Sequence, residues 1–511
     1  MLKKGKEEGI MKIKNFSRTI FLKPGSYILI SLIVLIFAFL CNSCSTNANK
    51  GTISGTVMLV NDSDNPSFNP VDYAGVTVAL YKTAVLDTTL VRINQQYPQI
   101  GVQITQETEF DHRNFNPLKV VSTDAEGKFS FPSLTAGNYN LVLWKTDWGI
   151  RYLCSIRAEE KENNNLGTIE LYPATSYNST IVSEPTIFKS DHSYFVLTDV
   201  NFMSSVEFQP RAQIFINPAA MLKFYGAVTT PEFTSSQDMW KITSGKEIYS
   251  TAQVTMDFDS YYSTVNFYGD EINLKSGELI YGTSSINIIN SLSINLSFLL
   301  LRYCSSGITL EQGEVNINNL IISNCYNYGI SCTANAGNTN SDFFTKCIFF
   351  NIKTGGILIN IQGYYNITDC YFSNIYKSIS AKLGDCNISH NNFENNYFNI
   401  YFDYISNQNH QITYNNFYSA TICIQPTGEI NNINYNNFYL ISDWYITIRR
   451  ILYPYSLVTE NVDATHNYWY ESNVDKYLAD GNDNDEFGSN CQFYIIYQPI
   501  LDTPLRDAGI Q

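Results

Sequence analysis

The tripeptide AsnAsnPhe occurs three times, at 391–393, 415–417 and 436–438. Related phrases keep the same rhythm on either side: CysIlePhe at 347–349, CysTyrPhe at 370–372 and AsnTyrTrp at 467–469. The aromatic residues that end the phrases are 23, 21, 24, 21 and 31 residues apart. A period of about 20–30 residues is typical of a solenoid, in which each repeat packs only against its neighbours.

A second phrase follows each aromatic residue at the same interval. It reads GlyIleLeuIle at 356–359, SerIleSerAla at 378–381, AsnIleTyrPhe at 399–402 and ThrIleCysIle at 421–424. Each repeat therefore holds at least two short β-branched or aromatic runs separated by turn residues, without a helical period. The pattern predicts coils of short parallel strands, stacked at about 4.8 Å.

In such a stack, one Asn of each phrase falls in a single column: Asn391, Asn415, Asn436 and Asn467. We expect these amides to form a hydrogen-bonded ladder at a tight corner, where Asn tolerates a left-handed backbone. Cys347 and Cys370 take the same place in earlier repeats and are expected to stack in the core. Neighbouring rungs would bring their Cα atoms to about 5 Å, which is inside the disulfide range.

These repeats resemble the right-handed parallel β-helix proteins of the pectin-lyase-like superfamily. Residues 194–242, which include PheThrSer at 233–235 and Trp240, resemble the first rungs of bacterial β-helices. AsnTyrTrpTyr at 467–470 and TyrGlnProIle at 497–500 resemble their closing segment. The resemblance implies a right-handed parallel β-helix over residues 180–500 with a C-terminal cap, and at about 24 residues a coil this length holds about 13 rungs.

Residues 51–175 carry about seven short strands with turn signals between them, which predicts a small β-sandwich. Their order resembles the carboxypeptidase regulatory-like domains, which are related to transthyretin-like and carbohydrate-binding-like sandwiches. The resemblance is carried by Gly55, Gly75, Asp124, Gly127, Phe129, Leu134, Gly137 and Tyr139. A long insertion at about 83–118 interrupts the family pattern. The expected fold class is thus all-β, with a transthyretin-like sandwich before the β-helix.

The resemblance implies that this first module is a non-catalytic spacer or an accessory binder. The alternative is a sugar-binding surface formed by Trp144, Trp148 and Tyr152, because aromatic rings stack on pyranose faces. Trp144 follows an alternating LeuValLeu run and can equally be an inward-facing strand residue.

Residues 1–43 have the features of an export signal. Basic residues precede an apolar run from Tyr27 to Leu40, which is short for a membrane span. CysAsnSerCys at 41–44 resembles a relaxed bacterial lipobox, which implies cleavage before Cys44, lipid on its thiol and a tether over 44–50. Cys41 as the lipidated residue and an uncleaved anchor helix remain alternatives. Each places the protein in the cell envelope, facing the periplasm or exposed at the surface, with the lipid anchor in a membrane.

The formal net charge is −15, and only 15% of residues are charged. No basic stripe is left to neutralise phosphates, so nucleic acid is not an expected partner. The Tyr- and Asn-rich repeats instead indicate a non-enzymatic protein that binds polysaccharide, host glycan or another surface ligand, with a structural envelope protein as a further possibility. The alternative is a polysaccharide lyase or glycoside hydrolase on the same β-helix.

Glycoside hydrolysis needs two carboxyl groups held together. Acids are sparse in the regular repeats, and no two share a short motif: Asp342, Asp369, Asp385, Glu394 and Asp403. His390 and His466 each precede a ladder Asn, which predicts a stacked surface column. No catalytic residue is predicted.

The acidic run at 480–486 offers oxygen ligands for calcium, but Asp485 stands where an EF-hand loop needs Gly. An acidic capping turn is the better interpretation, with weakly bound calcium as the alternative. No CxxC spacing occurs, so zinc and redox cofactors have no support. We therefore expect no cofactor and no metal site.

Overall fold

The computed structural model describes residues 50–61, 70–218, 220–231, 238–244, 264–281, 284–311, 313–333, 341–402, 409–425, 430–439, 444–447, 462–470, 474, 478–479 and 495–511. The predicted leader with Cys44, Asp403 and the acidic run at 480–486 lie outside these residues. Within them, no helix has the length and apolar character needed to cross a membrane.

Two small sheets form the N-terminal region. In one, β1 (Lys50–Leu59) lies between β4 (Lys128–Thr135) and β7 (Asn163–Leu171). The other has the order β3 (Lys119–Ser122), β2 (Thr77–Lys82), β5 (Gly137–Trp144) and β6 (Ile150–Ala158). Apolar side chains of both sheets pack into one cluster, which includes Ile53, Val78, Phe131 and Leu141. Assignment of this region to a transthyretin-like sandwich stays a prediction.

The insertion between β2 and β3 holds the helices of the described chain: α1 (Thr88–Gln96), α2 (Gln106–Glu109) and a 3₁₀ turn at His112–Asn114. Helix α1 begins after Asp87, whose carboxylate accepts hydrogen bonds from the backbone N–H groups of Thr89 and Leu90. This N-cap satisfies two of the donors that a helix start leaves unpaired.

From Thr175 onwards the chain forms a β-helix-like stack, in which strands pair in parallel with strands one coil further along. This start lies within the range predicted for the first module. The strands from the start of the stack to Thr345 are Thr175–Tyr177, Thr180–Val182, Thr186–Phe188, Ser193–Val196, Val200–Phe202, Val206–Phe208, Gln213–Ile216, Met221–Phe224, Val228–Thr229, Trp240–Ser244, Thr264–Phe267, Glu271–Ile280, Ser284–Ile288, Ser293–Arg302, Ser306–Leu310, Glu314–Asn318, Ile321–Ser323, Tyr328–Cys332 and Ser341–Thr345. The remaining strands are Ile348–Ile359, Tyr364–Thr368, Tyr371–Ala381, Asp385–Ser389, Asn392–Glu394, Phe398–Phe402, His410–Thr413, Asn416–Tyr418, Ile422–Gln425, Ile430–Asn434, Asn437–Phe438, Trp444–Thr447, Val462–Asp463, Tyr468–Trp469, Leu478–Ala479 and Ile495–Ile496.

Single residues with left-handed backbone turn each coil at two corners. Corner A is a column with φ between 53° and 59°: Ser276, Phe298, Asn319, Lys346, Asp369, His390, Tyr414, Tyr435 and His466. Corner B is a second left-handed column: Tyr281, Tyr303, Asn324, Asn351, Asn374, Asn395 and Ser419. The corners define three faces: face 1 precedes corner A, face 2 lies between the corners, and face 3 follows corner B.

Face 2 carries thirteen successive parallel strand segments in the described chain, from Thr175–Tyr177 to Tyr468–Trp469. This agrees with the predicted number of rungs. The repeated aromatic residues form one inward stack with centroids 4.4 to 5.0 Å apart: Phe349, Phe372, Phe393, Phe417, Phe438 and Trp469. The phrase that revealed the period is therefore the phrase that fills the core.

The predicted asparagine ladder is confirmed. Nδ2 of Asn391, Asn415 and Asn436 donates to Oδ1 of the next ladder residue at 3.0, 3.0 and 3.2 Å, ending at Asn467. The expectation of a left-handed backbone at the ladder residues is wrong, because the preceding residue holds that conformation. The ladder amide pairs main-chain groups that the corner leaves open, such as the carbonyls of Ile388 and Thr413 beside Asn415.

The corner A residues before the ladder stack their rings on the outside. His390, Tyr414, Tyr435 and His466 follow one another with centroids 5.2, 5.4 and 5.4 Å apart. This confirms the predicted column, with the two histidines at its ends.

One carboxyl group and one imidazole ring lie inside the coil. Asp342 is 3% exposed, and burial raises the pKa of its carboxyl to about 7, although Oδ1 accepts a hydrogen bond from the backbone N–H of Val315. His410 is stacked on Phe402 with centroids 4.0 Å apart, and burial lowers the pKa of its ring to about 4. Burial favours the neutral form of each group.

Replacing Asn415 by Ala should lower the free energy of unfolding by roughly 2–4 kcal/mol, because the backbone N–H of Asn391 and the carbonyls of Ile388 and Thr413 lose the hydrogen bonds that this amide makes to them. Asn387→Ala is the matched control, since this amide lies on the outer side of face 1 and bonds only sideways to Asn366. Its expected cost is below about 0.5 kcal/mol. Urea unfolding monitored by circular dichroism compares them, and equal costs would contradict a structural role for the ladder.

Asp342→Asn should raise stability increasingly as pH rises. The folded pKa of Asp342 lies above its unfolded value, so its contribution is fully present below about pH 4 and is lost as pH rises to about 7. The gain at pH 8 relative to pH 4 is at most about 4 kcal/mol, at 1.36 kcal/mol per pKa unit. Urea midpoints of wild type and variant across pH 4–8 measure it.

His410→Gln is the comparison for this experiment. The folded pKa of His410 is depressed, so wild type loses stability as pH falls from about 6.5 to 4, and the variant should lack that loss. A pH-independent difference between Asp342→Asn and wild type would refute the assignment of Asp342.

Candidate functional site

The insertion packs on the outer side of face 2. Leu90 and Ile93 of α1 join Ile321 and Ile348 of the coil in one apolar cluster. The backbone N–H of Gly101 donates to the carbonyl of Lys346 at 2.8 Å. The segment that interrupts the predicted first module is therefore one contact between that module and the stack. Strand β6 makes another, through Ile150 with Ser193 and Arg151 with Asp191.

A buried ionic network joins the insertion to the coils of face 2 that lie nearer the N-terminus. Arg302 pairs with Glu109 of α2 and lies 2.5 Å from Glu278, while Nζ of Lys241 lies 2.8 Å from the other oxygen of Glu278. Burial alone would lower the pKa of Arg302, but the two carboxylates raise it. The charges compensate one another inside an interface, so this cluster offers no open site for a ligand.

The C-terminal residues cover the coils of face 2 that lie nearer the C-terminus. Asn437 exchanges two hydrogen bonds with the backbone of Leu505, at 2.9 and 2.8 Å, and Asn416 donates to the carbonyl of Ala508 at 3.0 Å. Gly509 has φ +87°, and a Cβ there would lie 2.2 Å from Nδ2 of Asn416. The repeat pattern did not predict that these C-terminal residues cover face 2. The feature that could have indicated it is the second, outward Asn of each AsnAsnPhe phrase, which needs a hydrogen-bond partner of its own.

Together the insertion and the C-terminal residues close the central outward column of face 2. Beside it, Glu394 pairs with Arg92 at 3.0 Å and accepts a hydrogen bond from the hydroxyl of Tyr371. Asp369 lies at corner A, in register with His390, and so falls at the other end of the strand from Glu394. One rung of separation does not bring these two carboxylates together.

Of the three aromatic residues proposed as a sugar-binding surface, Trp144 and Tyr152 lie against the insertion. Trp148 is 7% exposed and belongs to the apolar cluster of the N-terminal sheets. The hydroxyl of Tyr152 is hydrogen bonded to Nδ1 of His112 at 2.7 Å, and burial raises the pKa of that hydroxyl well above its ordinary value. The ring of Trp144 is stacked with that of His112 at 6.2 Å. They form no open platform here, and carbohydrate binding by them stays a prediction.

An open groove of about 860 Å³ follows corner B across successive rungs. One wall is the left-handed column of corner B: Asn351, Asn374, Asn395 and Ser419. The other wall is the column two residues further along each coil: Lys353, Tyr376, Tyr397 and Thr421. Its floor is formed by Ile352, Ile375, Asn396 and Ala420. Because each rung adds one residue to each wall, the groove runs along the stack and across the strands.

The groove walls repeat the same polar groups. Asn374 donates to Asn351 at 2.9 Å, and Asn351 donates to Asn324 at 2.5 Å, so the outer amides form a second ladder. The rings of Tyr376 and Tyr397 are stacked at 5.1 Å and are 48% and 44% exposed. Stacking occupies the facing ring surfaces, which leaves ring edges and hydroxyls to meet a ligand.

Lys353 is the cation of the groove lining. Its Nζ lies 4.1 Å from the ring centroid of Tyr326, and among the described residues no carboxylate lies within salt-bridge distance of it. The part of the lining that the structure describes contains no Asp, Glu, His or Cys. The groove can therefore form repeated hydrogen bonds, but these described residues supply no carboxyl pair for glycoside hydrolysis.

Comparison with known proteins gives little to set beside this geometry. No family model matches the chain, and no curated protein matches it. Among solved structures, similarity is found to a type II cohesin–X-dockerin complex from Acetivibrio cellulolyticus, with 19% identity over 24% of this chain and 58% of that one, at a TM-score of 0.14. It is also found to the minor pilin of Streptococcus agalactiae, with 17% identity over 26% and 48% of the two chains, at a TM-score of 0.15. The matches thus span about half the length of those chains.

Proposed function

We propose that this chain is an exported, lipid-anchored protein of the cell envelope that binds a linear polysaccharide or host glycan without chemical turnover. The observation that carries the proposal is the groove at corner B. One wall carries an amide on three successive rungs and the hydroxyl of Ser419 on the next, and the other wall carries a hydrogen-bonding or aromatic side chain on each rung. The length of the groove follows the stack. A polymer with hydroxyl groups at regular intervals matches a wall with donors and acceptors at regular intervals.

The sequence supports the remaining parts of the proposal. The leader pattern and Cys44 support lipid anchoring in a membrane, and the resemblance of residues 51–175 to carboxypeptidase regulatory-like modules supports a spacer between membrane and stack. The repeat pattern supports membership of the pectin-lyase-like superfamily. Binding of this kind requires no cofactor, and calcium at 480–486 would be an addition to it.

A polysaccharide lyase or glycoside hydrolase is the second candidate. Its best support is Glu394, which directly precedes the groove residue Asn395 in the chain and therefore lies beside the groove, at the end of a face 2 strand. Glu394 is paired with Arg92, and no second carboxylate occurs among the described residues of the lining. The binding function is therefore preferred.

Replacing Tyr397 and Asn374 together by Ala should weaken binding by about tenfold or more, because each lost hydrogen bond or ring contact is worth roughly 1 kcal/mol. Tyr364→Ala is the matched control: its ring is similarly exposed, at 40%, but lies on face 1 outside the groove. Affinity is measured on a panel of neutral and acidic polysaccharides with the purified full-length protein. Equal losses in both variants would move the binding surface away from corner B.

The same incubations separate binding from catalysis. Ultraviolet absorbance of unsaturated products and the appearance of new reducing ends should both stay at background. Turnover would overturn the non-enzymatic proposal, and retention of none of the polysaccharides would overturn the binding proposal itself.

A further inference from the structure

Four interior cysteines occur as two stacked pairs that the binding function does not use. Cys304 and Cys325 lie two residues beyond the in-register pair of Arg302 and Ser323. Cys347 and Cys370 directly precede the in-register pair of Ile348 and Tyr371. Each pair therefore occupies equivalent positions on adjacent coils, where neighbouring backbones are about 4.8 Å apart.

None of the four cysteines is in a disulfide, and each is between 0 and 3% exposed. Three of them donate to the carbonyl two residues earlier at 3.1, 3.5 and 3.1 Å, in Cys304, Cys325 and Cys347. Cys370 makes the same contact at 3.3 Å. The thiols of each pair also touch: contact with Cys304, and then burial, raises the pKa of Cys325, and burial together with contact with Cys347 raises that of Cys370.

Both pairs follow a corner, and their position matters for the stack. Each cysteine comes directly after a left-handed residue, at corner B for Cys304 and Cys325 and at corner A for Cys347 and Cys370. The backbone N–H of Cys370 donates to Oδ1 of Asn391 at 2.9 Å, so the asparagine ladder ends at this pair. In the preceding coils the ladder position, directly after corner A, is held by Cys370, Cys347 and Leu320, so no amide continues this ladder there.

We propose that Cys304–Cys325 and Cys347–Cys370 are two latent disulfide sites, each able to cross-link adjacent coils at a corner. The oxidant is a small-molecule disulfide. One thiolate attacks a sulfur of that disulfide and releases one small thiol; the second cysteine then displaces the other small thiol. Two S–H bonds and one S–S bond break, one protein S–S bond forms, and two small thiols carry away the hydrogens.

Burial makes the native thiols slow to react, because the thiolate is the nucleophile and is disfavoured inside the coil. The sites should therefore close chiefly as the chain folds. The closed loops would span 21 and 23 residues, long enough for a cross-link to restrict the unfolded chain substantially.

The test refolds purified full-length protein from urea in a mixture of oxidised and reduced glutathione, and in reductant alone. Mass spectrometry of proteolytic fragments should find both cross-links after oxidative refolding, and the unfolding midpoint should exceed that of the reduced protein. Cys304→Ser should lose only the first cross-link and Cys347→Ser only the second. Cys386→Ser, whose residue is in register with Tyr365, should lose neither.

A second arm keeps the protein folded throughout and treats it with diamide, a diazene that takes up the two hydrogens of a thiol pair. Slow appearance of the same two cross-links is expected, and Cys154, the partly exposed cysteine, should form neither of them. The proposal would be overturned if all four thiols could still be alkylated after both treatments. Cross-links that join either pair to Cys332 or Cys386 as often as within the pairs would also overturn it.

Discussion

Parallel register from coil to coil is the constraint on which the rest of the structure depends. Once Ile348 pairs with Tyr371, and Tyr371 with Asn392, each side chain must lie above an equivalent one about 4.8 Å away. Only residues that gain from contact with their own kind are suited to such a column. Aromatic rings, amides and small apolar side chains meet this condition, whereas a buried column of like charges would not.

This constraint explains which parts of the molecule could be predicted from the sequence. The aromatic column from Phe349 to Trp469 and the ladder from Asn391 to Asn467 repeat at the coil period, so their spacing was sufficient to predict parallel stacking and the number of rungs. The left-handed backbone conformation was predicted one residue too late in each repeat. Asn tolerates a left-handed backbone, but at corner A His390 and Tyr414 hold that conformation, because the ladder Asn must point inward to reach the open carbonyls.

Contacts between segments that do not repeat could not be predicted from the sequence. The insertion reads as an interruption of a family pattern, and nothing in its spacing predicts that Leu90 would pack on Ile321 or that Arg92 would meet Glu394. The groove at corner B has a similar origin. Its amides and tyrosines are visible in the repeats, but only the register places Asn374 and Tyr376 on two sides of one cleft.

The contact between the insertion and face 2 also determines how a mechanical load would pass through the molecule. The insertion touches coils from Lys241 to Glu394, and it leaves the N-terminal sheets between β2 and β3. A pull on those sheets is therefore shared by several coils at once through packed side chains and ion pairs. The other path runs through β6 and the strand Thr175–Tyr177, which contact the first coils, and a pull along it would peel the stack one coil at a time. The molecule is thus fastened along its side, and resists detachment by shear.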